Sequence, residues 1–255
     1  MTRKSLILLT CLWAALPTPS ARANEADACE PPEALLASEA ILSRVEEAAR
    51  KQRIVNIAVV GSGSSILGGR EGASVSYPER LEADLKKRLP GVQVTVTAYA
   101  KPRMSAAEIE LALERLVIDT KPHLVIWQTG TVDAIRGIGH DEFQATLSVG
   151  VSAAQREGAD VVLMNMQYSP RTESMIAIGA YDDVMRAVAY SRQVPLFDRF
   201  AIMRHWNETG LFDFSVATKS NVVAQRVHDC IARALSSLII DTARLRNMQA
   251  KNNQQ

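Results

Sequence analysis

A serine on a glycine turn, a carboxylate to support it and a histidine to move its proton are the residue types that together cleave an acyl ester. The stretch Gly61-Ser62-Gly63-Ser64-Ser65-Ile66-Leu67-Gly68-Gly69 follows an apolar run and offers Ser62 and Ser64 as nucleophiles. Three readings of this loop stand side by side: a flexible Gly/Ser turn, a phosphate cradle, or a nucleophile loop that lifts a serine to the end of a strand. The cradle lacks both the Walker lysine and a clean G-x-G-x-x-G spacing. Asp133, in Gly130-Thr131-Val132-Asp133, is the carboxylate that could support a serine. The base is harder to find. His123 begins an apolar strand segment, His140 begins a helix, His205 falls between Met203 and Trp206, and His228 lies inside the last helix, so each is read as a surface or packing histidine. No pair has metal-ligand spacing, and neither a Zn or Mg site nor a cofactor is expected.

The elements that must position these residues are legible from Ile54 onward, where short β-branched runs alternate with stretches of helical spacing. Strands are expected at Ile54 to Val60, Val92 to Ala98, His123 to Gln128, Asp160 to Asn165 and Val194 to Phe197. Helices are expected at Tyr77 to Leu89, Ser105 to Ile118, Asp141 to Glu157, Ser174 to Ser191 and Asn221 to Leu245. Pro78 is tolerated in a first turn, where its missing amide would have been unpaired. Leu124-Val125-Ile126-Trp127 and Val161-Val162-Leu163-Met164 are apolar throughout, which predicts strands covered on both faces of a parallel sheet. The expected class is three-layer α/β with about five parallel strands. Ligands of such sheets bind at the carboxyl ends of the strands, where the Gly/Ser loop falls.

The first residues read as a secretory signal: Arg3 and Lys4, an apolar run from Leu6 to Leu16, and Ala21-Arg22-Ala23 as an A-x-A cleavage site before Asn24. That run is shorter than the ~20 residues a bilayer core demands, so no membrane span is expected after cleavage. Cys11 lies inside the run, without the small residues that precede a lipidated cysteine. The expected organisation is a signal peptide at 1–23, a leader with one amphipathic helix at 24–51, an α/β domain at 52–245 and a polar tail at 246–255. The protein is expected in the periplasm or the medium. Net charge is +1, with basic and acidic residues interspersed, which excludes the one-sided basic face of a nucleic-acid binder. Few aromatic residues argue against a carbohydrate groove lined with Trp. Two cysteines remain, Cys29 and Cys230, and an oxidising compartment favours a disulfide between them. The alternative is two separate thiols, with Cys230 buried on the last helix.

The succession Val59-Val60-Gly61-Ser62, Ser76-Tyr77-Pro78-Glu79-Arg80-Leu81, then Leu124-Val125-Ile126-Trp127-Gln128-Thr129-Gly130-Thr131 resembles bacterial exported SGNH/GDSL-type hydrolases. The resemblance continues through Val161 to Pro170 and Val194 to Phe200 and covers about Cys29 to Leu238. It implies the flavodoxin-like SGNH sheet and, for active relatives, hydrolysis of acyl esters or acylated carbohydrates. The four catalytic blocks of the family carry over poorly. Where Gly-Asp-Ser or Gly-Ser-Ser has its nucleophile, this chain has Gly63, which has no side chain to attack an ester. Ser62 and Ser64 flank that position, but neighbours on a tight turn point in different directions.

The second block, Asn-x-Gly-x-x-Gly, corresponds to Ala98-Tyr99-Ala100-Lys101-Pro102-Arg103, whose Arg103 amide could still face an oxyanion. In the third, Val132 replaces an Asn whose amide stabilises that oxyanion; loss of such a donor costs other hydrolases about 3 to 4 kcal/mol of barrier. The fourth, Asp-x-x-His, falls at Lys219-Ser220-Asn221-Val222 or at Asp213-Phe214-Ser215-Val216, and both end in valine, so the base is missing. Gly63, Val132 and Val222 or Val216 are expected around one cleft, with Arg103 at its rim. The resulting expectation is a non-catalytic relative that binds an acyl or carbohydrate ligand, or an envelope protein. The alternative is an active ester hydrolase using Ser62 or Ser64 with Asp133. Neither oligomeric state nor ligand identity is legible.

Overall fold

The computed structural model describes residues 29–69, 71–216 and 221–249. The expected signal peptide, the cleavage point at Asn24, the pair Lys219-Ser220 and most of the tail, 250–255, lie outside these residues. Five strands, β1 (Ile54–Gly61), β2 (Gln93–Ala100), β3 (Leu124–Gln128), β4 (Asp160–Met164) and β5 (Leu196–Phe197), form one parallel sheet in the order β2-β1-β3-β4-β5. The helices are α1 (Ser43–Glu47), α2 (Tyr77–Arg88), α3 (Ala106–Thr120), α4 (Thr131–Arg136), α5 (His140–Arg156), α6 (Pro170–Met175), α7 (Ile178–Arg192), α8 (Arg199–Glu208) and α9 (Asn221–Thr242). Helices α2 and α9 pack on each other, while α3, α5 and α7 pack in succession. Right-handed crossovers in this strand order place the two groups on opposite faces of the sheet, giving three layers as expected.

Strand burial follows from position. Every residue of β3, in the middle of the sheet, is buried, whereas the edge strand β2 alternates buried and exposed residues over its first half. Helix α5 approaches β3 closely because Gly150 has no side chain: a Cβ there would fall 2.5 Å from the Trp127 ring. The start of α3 is fixed by a capping box, in which the Ser105 amide donates to Glu108 Oε2 at 2.7 Å and Ser105 Oγ accepts from the Glu108 amide.

Several elements differ from the expectation. The helix expected from Ser174 to Ser191 is two helices, because Ile176 leaves the helix in an extended conformation (φ −132°, ψ 136°) and packs against the core. Helix α8 falls in a stretch to which the sequence assigned no element; Asp198 starts it by accepting from the Ala201 amide at 2.9 Å. Helix α4 was also unexpected. Helix α9 ends at Thr242 rather than Leu245, since Arg244 adopts a left-handed conformation (φ 55°).

The Cys29–Cys230 disulfide is present, with Cα atoms 5.2 Å apart. It is not the sole tie on the leader. Leu42, Val45, Ala48 and Ala49 are buried in the core, and Asp160 at the start of β4 accepts from the Arg44 and Val45 amides at 2.8 and 3.0 Å. Those amides belong to the unpaired first turn of α1, so Asp160 caps a helix distant in sequence. Beyond Leu245, a 3₁₀ turn at Arg246–Met248 is held by Arg246 on Asp241. The tail is therefore ordered as far as that turn.

Candidate functional site

The register aligns Val60 with Trp127, Gln128 with Met164, and Met164 with Phe197, so the loops after β1, β3, β4 and β5 leave one edge of the sheet together. At that edge β1 ends on Gly61. A Cβ there would meet Ser65 Oγ at 2.5 Å and the Gln128 side chain at 3.1 Å, so the close return of the loop requires glycine. The Ser65 amide donates to the Ser62 carbonyl at 3.0 Å and closes a 3₁₀ turn over Gly63–Ser65. Gly63 is exposed on this turn. A Cβ built on it meets only Pro102, at 3.5 Å or more, in ordinary contact. A serine would fit at position 63, and the backbone does not explain why none is there.

Below the turn lies a polar cluster organised by Gln128, itself buried. Its Oε1 accepts from Ser65 Oγ at 2.9 Å and from the Tyr77 hydroxyl at 3.2 Å, and its Nε2 donates to Ser64 Oγ. Burial pushes the Tyr77 phenol up to about 12, against the pull of Ser65 and of the Arg199 charge, so the phenol stays neutral. His228 borders the same cluster from the interior of α9. Its Nδ1 accepts from the Tyr77 amide at 2.9 Å, and burial, followed by the positive charges of Arg199 and Arg80, pushes it down to about 3. With its acceptor nitrogen engaged by an interior amide, His228 packs the structure rather than serving Ser64. His123 sits at the opposite end of β3, where its Nδ1 accepts from the Asn56 amide at 2.9 Å. His140 packs edge-on against Tyr181, and His205 lies in α8. Among the described residues, no histidine hydrogen-bonds to Ser62 or Ser64.

The loops after β2 and β3 bring three other expected site residues, Arg103, Val132 and Asp133, to this edge. Pro102 lies over Gly63, which brings the loop after β2 to the turn, and the neighbouring Arg103 adopts a left-handed conformation (φ 64°) where the family motif has glycine. The Arg103 carbonyl accepts from Arg136 at 2.8 Å. Val132 is half-buried on the first turn of α4. Asp133 does not support a serine: its carboxylate accepts from the Ala106 amide at 2.9 Å and from the Thr129 hydroxyl at 3.3 Å, joining the start of α3 to the β3–α4 turn. Burial holds this carboxyl above its usual range. Val216 and Val222 are exposed, and Asp213 is engaged by Ser215, with its amide at 2.9 Å. Among the described residues no cluster of side chains could hold a metal ion, and no helix is long and apolar enough to cross a membrane.

One residue of the cluster has no counterpart in the sequence reading. Arg199, the first residue of α8, is 1% exposed and reaches from the end of β5 across the edge. Its Nη1 donates to the Ser64 carbonyl at 3.4 Å and its Nη2 to Gln167 Oε1 at 3.5 Å. The signal in the sequence was an arginine two residues after a strand end, on the edge where ligands bind.

This sheet order, with a glycine turn after β1 and polar side chains beneath it, defines the SGNH hydrolase architecture. Solved structures of that class superpose on the chain. An acetylxylan esterase from Geobacillus stearothermophilus, solved as a catalytic mutant, is 19% identical with a TM-score of 0.59, over 72% of this chain and 94% of its own. TesA is 24% identical with a TM-score of 0.56, over 72% and 99%. A putative lipolytic protein of the G-D-S-L family from Desulfitobacterium hafniense is 16% identical with a TM-score of 0.55, over 72% and 99%. At these identities the likeness is one of fold. The model of the non-GDSL lipase-like family matches residues 28–245, and the chain belongs to that family. No curated protein matches the sequence.

Proposed function

We propose that the protein is an exported, non-catalytic member of its family that binds an acyl or carbohydrate ligand at the carboxyl edge of the sheet. Gly63 carries this reading: the turn that holds the nucleophile in active relatives is built, has room for a side chain and lacks one. The engagement of Asp133 with Ala106 and of His228 with Tyr77 supports it, since neither group is free to activate Ser62 or Ser64. The saccharide part of the reading draws support from the acetylxylan esterase among the structural neighbours. An envelope protein is the other occupant of this edge consistent with export.

The purified protein is expected to leave p-nitrophenyl acetate unhydrolysed above the buffer rate. Gly63→Ser should fold with stability within about 1 kcal/mol of the parent and remain inactive, because a serine without a base is a weak nucleophile. Turnover by the parent that disappears in Ser62→Ala or Ser64→Ala would establish the ester hydrolase instead. Expressed with its leader in a bacterium, the protein should be recovered from the periplasm or medium with a mass that begins at Asn24. Retention of residues 1–23 would refute export by this signal.

A further inference from the structure

Arg199 is a buried cation with no anion beside it among the described residues. Among the described residues no carboxylate pairs with it, its two contacts lie at the outer limit of hydrogen bonding, and its Nε has no partner. Burial lowers its pKa to about 10, which still leaves the guanidinium charged at neutral pH. A charge removed from water and left unpaired is unfavourable, and a folded protein rarely keeps one without a use.

The pattern of missing contacts has a direction. Nη1 is directed at the Ser64 carbonyl, while Nε is unpaired and Nη2 has only Gln167. Nε and Nη2 form the edge of a guanidinium that receives the two oxygens of a carboxylate side by side. Ser64 and Gln167, which Arg199 contacts, are both half-buried, and Gly63 next to Ser64 is exposed, so the guanidinium lies beneath side chains that reach the surface at this edge of the sheet. The polar groups around it are neutral at physiological pH. Gln128 is uncharged, and the Tyr77 phenol and His228 ring are both held in their neutral forms by burial. Among these groups, the cluster carries one net positive charge and no negative one.

We infer that Arg199 anchors a carboxylate-binding site at the carboxyl edge of the sheet, which takes an acidic ligand such as a uronic acid on its Nε–Nη2 edge when the Gln167 side chain gives way. This rests on the binding reading above and narrows its ligand to an acidic one. Nothing in the exposed surface of the loop announces it; the charge comes from beneath.

Calorimetry and thermal melts of the whole mature protein with sodium galacturonate, neutral galactose and sodium acetate test the inference. Galacturonate should bind at least tenfold more tightly than galactose and raise Tm by about 5 °C near saturation. Acetate should compete with it. Arg199→Met should weaken galacturonate at least tenfold while leaving the ligand-free Tm unchanged or higher, since an apolar side chain replaces an unpaired buried charge. A merely structural arginine would instead give a lower ligand-free Tm in this variant. Should Arg199→Met not fold, Arg199→Lys gives the reading instead: a retained fold with galacturonate affinity reduced because the paired edge is gone supports the inference, and a retained fold with unchanged affinity overturns it. Equal binding of galactose and galacturonate would overturn the carboxylate site and leave the cleft reading intact. Binding of none of the three would overturn both.

Discussion

Replacing Cys29 and Cys230 together by serine is expected to lower the unfolding free energy by up to about 5 kcal/mol. The bond closes a loop of 201 residues, and the chain-entropy model assigns a closure of that length about 5 kcal/mol through the denatured state. Residual structure in the denatured chain brings the measured figure below this bound. The loss should be read as a lower denaturant midpoint in the double variant and, equally, in the parent after reduction. The local consequence is narrower than the global one. Asp160 and the buried Leu42, Val45, Ala48 and Ala49 still hold α1, so hydrogen exchange should rise across residues 29–40 and stay slow in α1. Equal midpoints before and after reduction would refute the stabilising role, and fast exchange throughout α1 would refute the division of labour.

The second large effect is on pH dependence, and two buried groups oppose each other in it. His228 is pushed from its ordinary value down to about 3, so between about pH 3 and 6.5 the unfolded chain binds a proton that the folded chain does not. Its contribution is fully present above pH 6.5 and is lost on acidification at up to about 1.4 kcal/mol per pH unit. Asp160 runs the other way. Burial raises it to about 6, against its hydrogen bonds from Val45 and Arg44, so the folded chain binds the extra proton between about pH 4 and 6 and gains stability on acidification there. Asp133, raised by the same cause, adds to that gain. The parent should therefore show a shallow profile between pH 6 and 4 and a steeper loss below pH 4. In His228→Asn, whose amide oxygen can still accept from the Tyr77 amide, only the carboxyl terms remain. Its Tm should rise as the pH falls from 6 to 4. Parallel profiles for parent and variant would show that His228 is not the group that titrates.

The parts of the fold that the sequence disclosed were those whose signal is local. Strands such as Leu124 to Trp127 are uniformly apolar, and Ser105 with Glu108 writes the start of α3 as a capping box, so neither needs tertiary information. Helix α8 was obscured because Arg199, Arg204, His205 and Asn207 dilute its apolar pattern, although Phe200, Ile202, Met203 and Trp206 are all buried. The break at Ile176 depends on a core contact that no window of sequence contains. The same division holds for the site. The missing side chain of Gly63 is a property of one residue and was legible. The burial of Arg199 arises only when β5 and α8 fold over Ser64 and Gln167, and an arginine read alone is an exposed residue.

Covalently, residues 29 to 230 form a ring from which only the two ends of the chain project. A protease that cuts once within the ring, for instance in the glycine-bearing stretch between Ile66 and Gly72, opens a circle and releases no fragment. The sheet then keeps every strand in place, because β1 and β3 still pair on either side of the cut through the register that joins Val60 to Trp127. In oxidising surroundings, such as the proposed export would give it, a single nick is expected to leave the two pieces covalently joined.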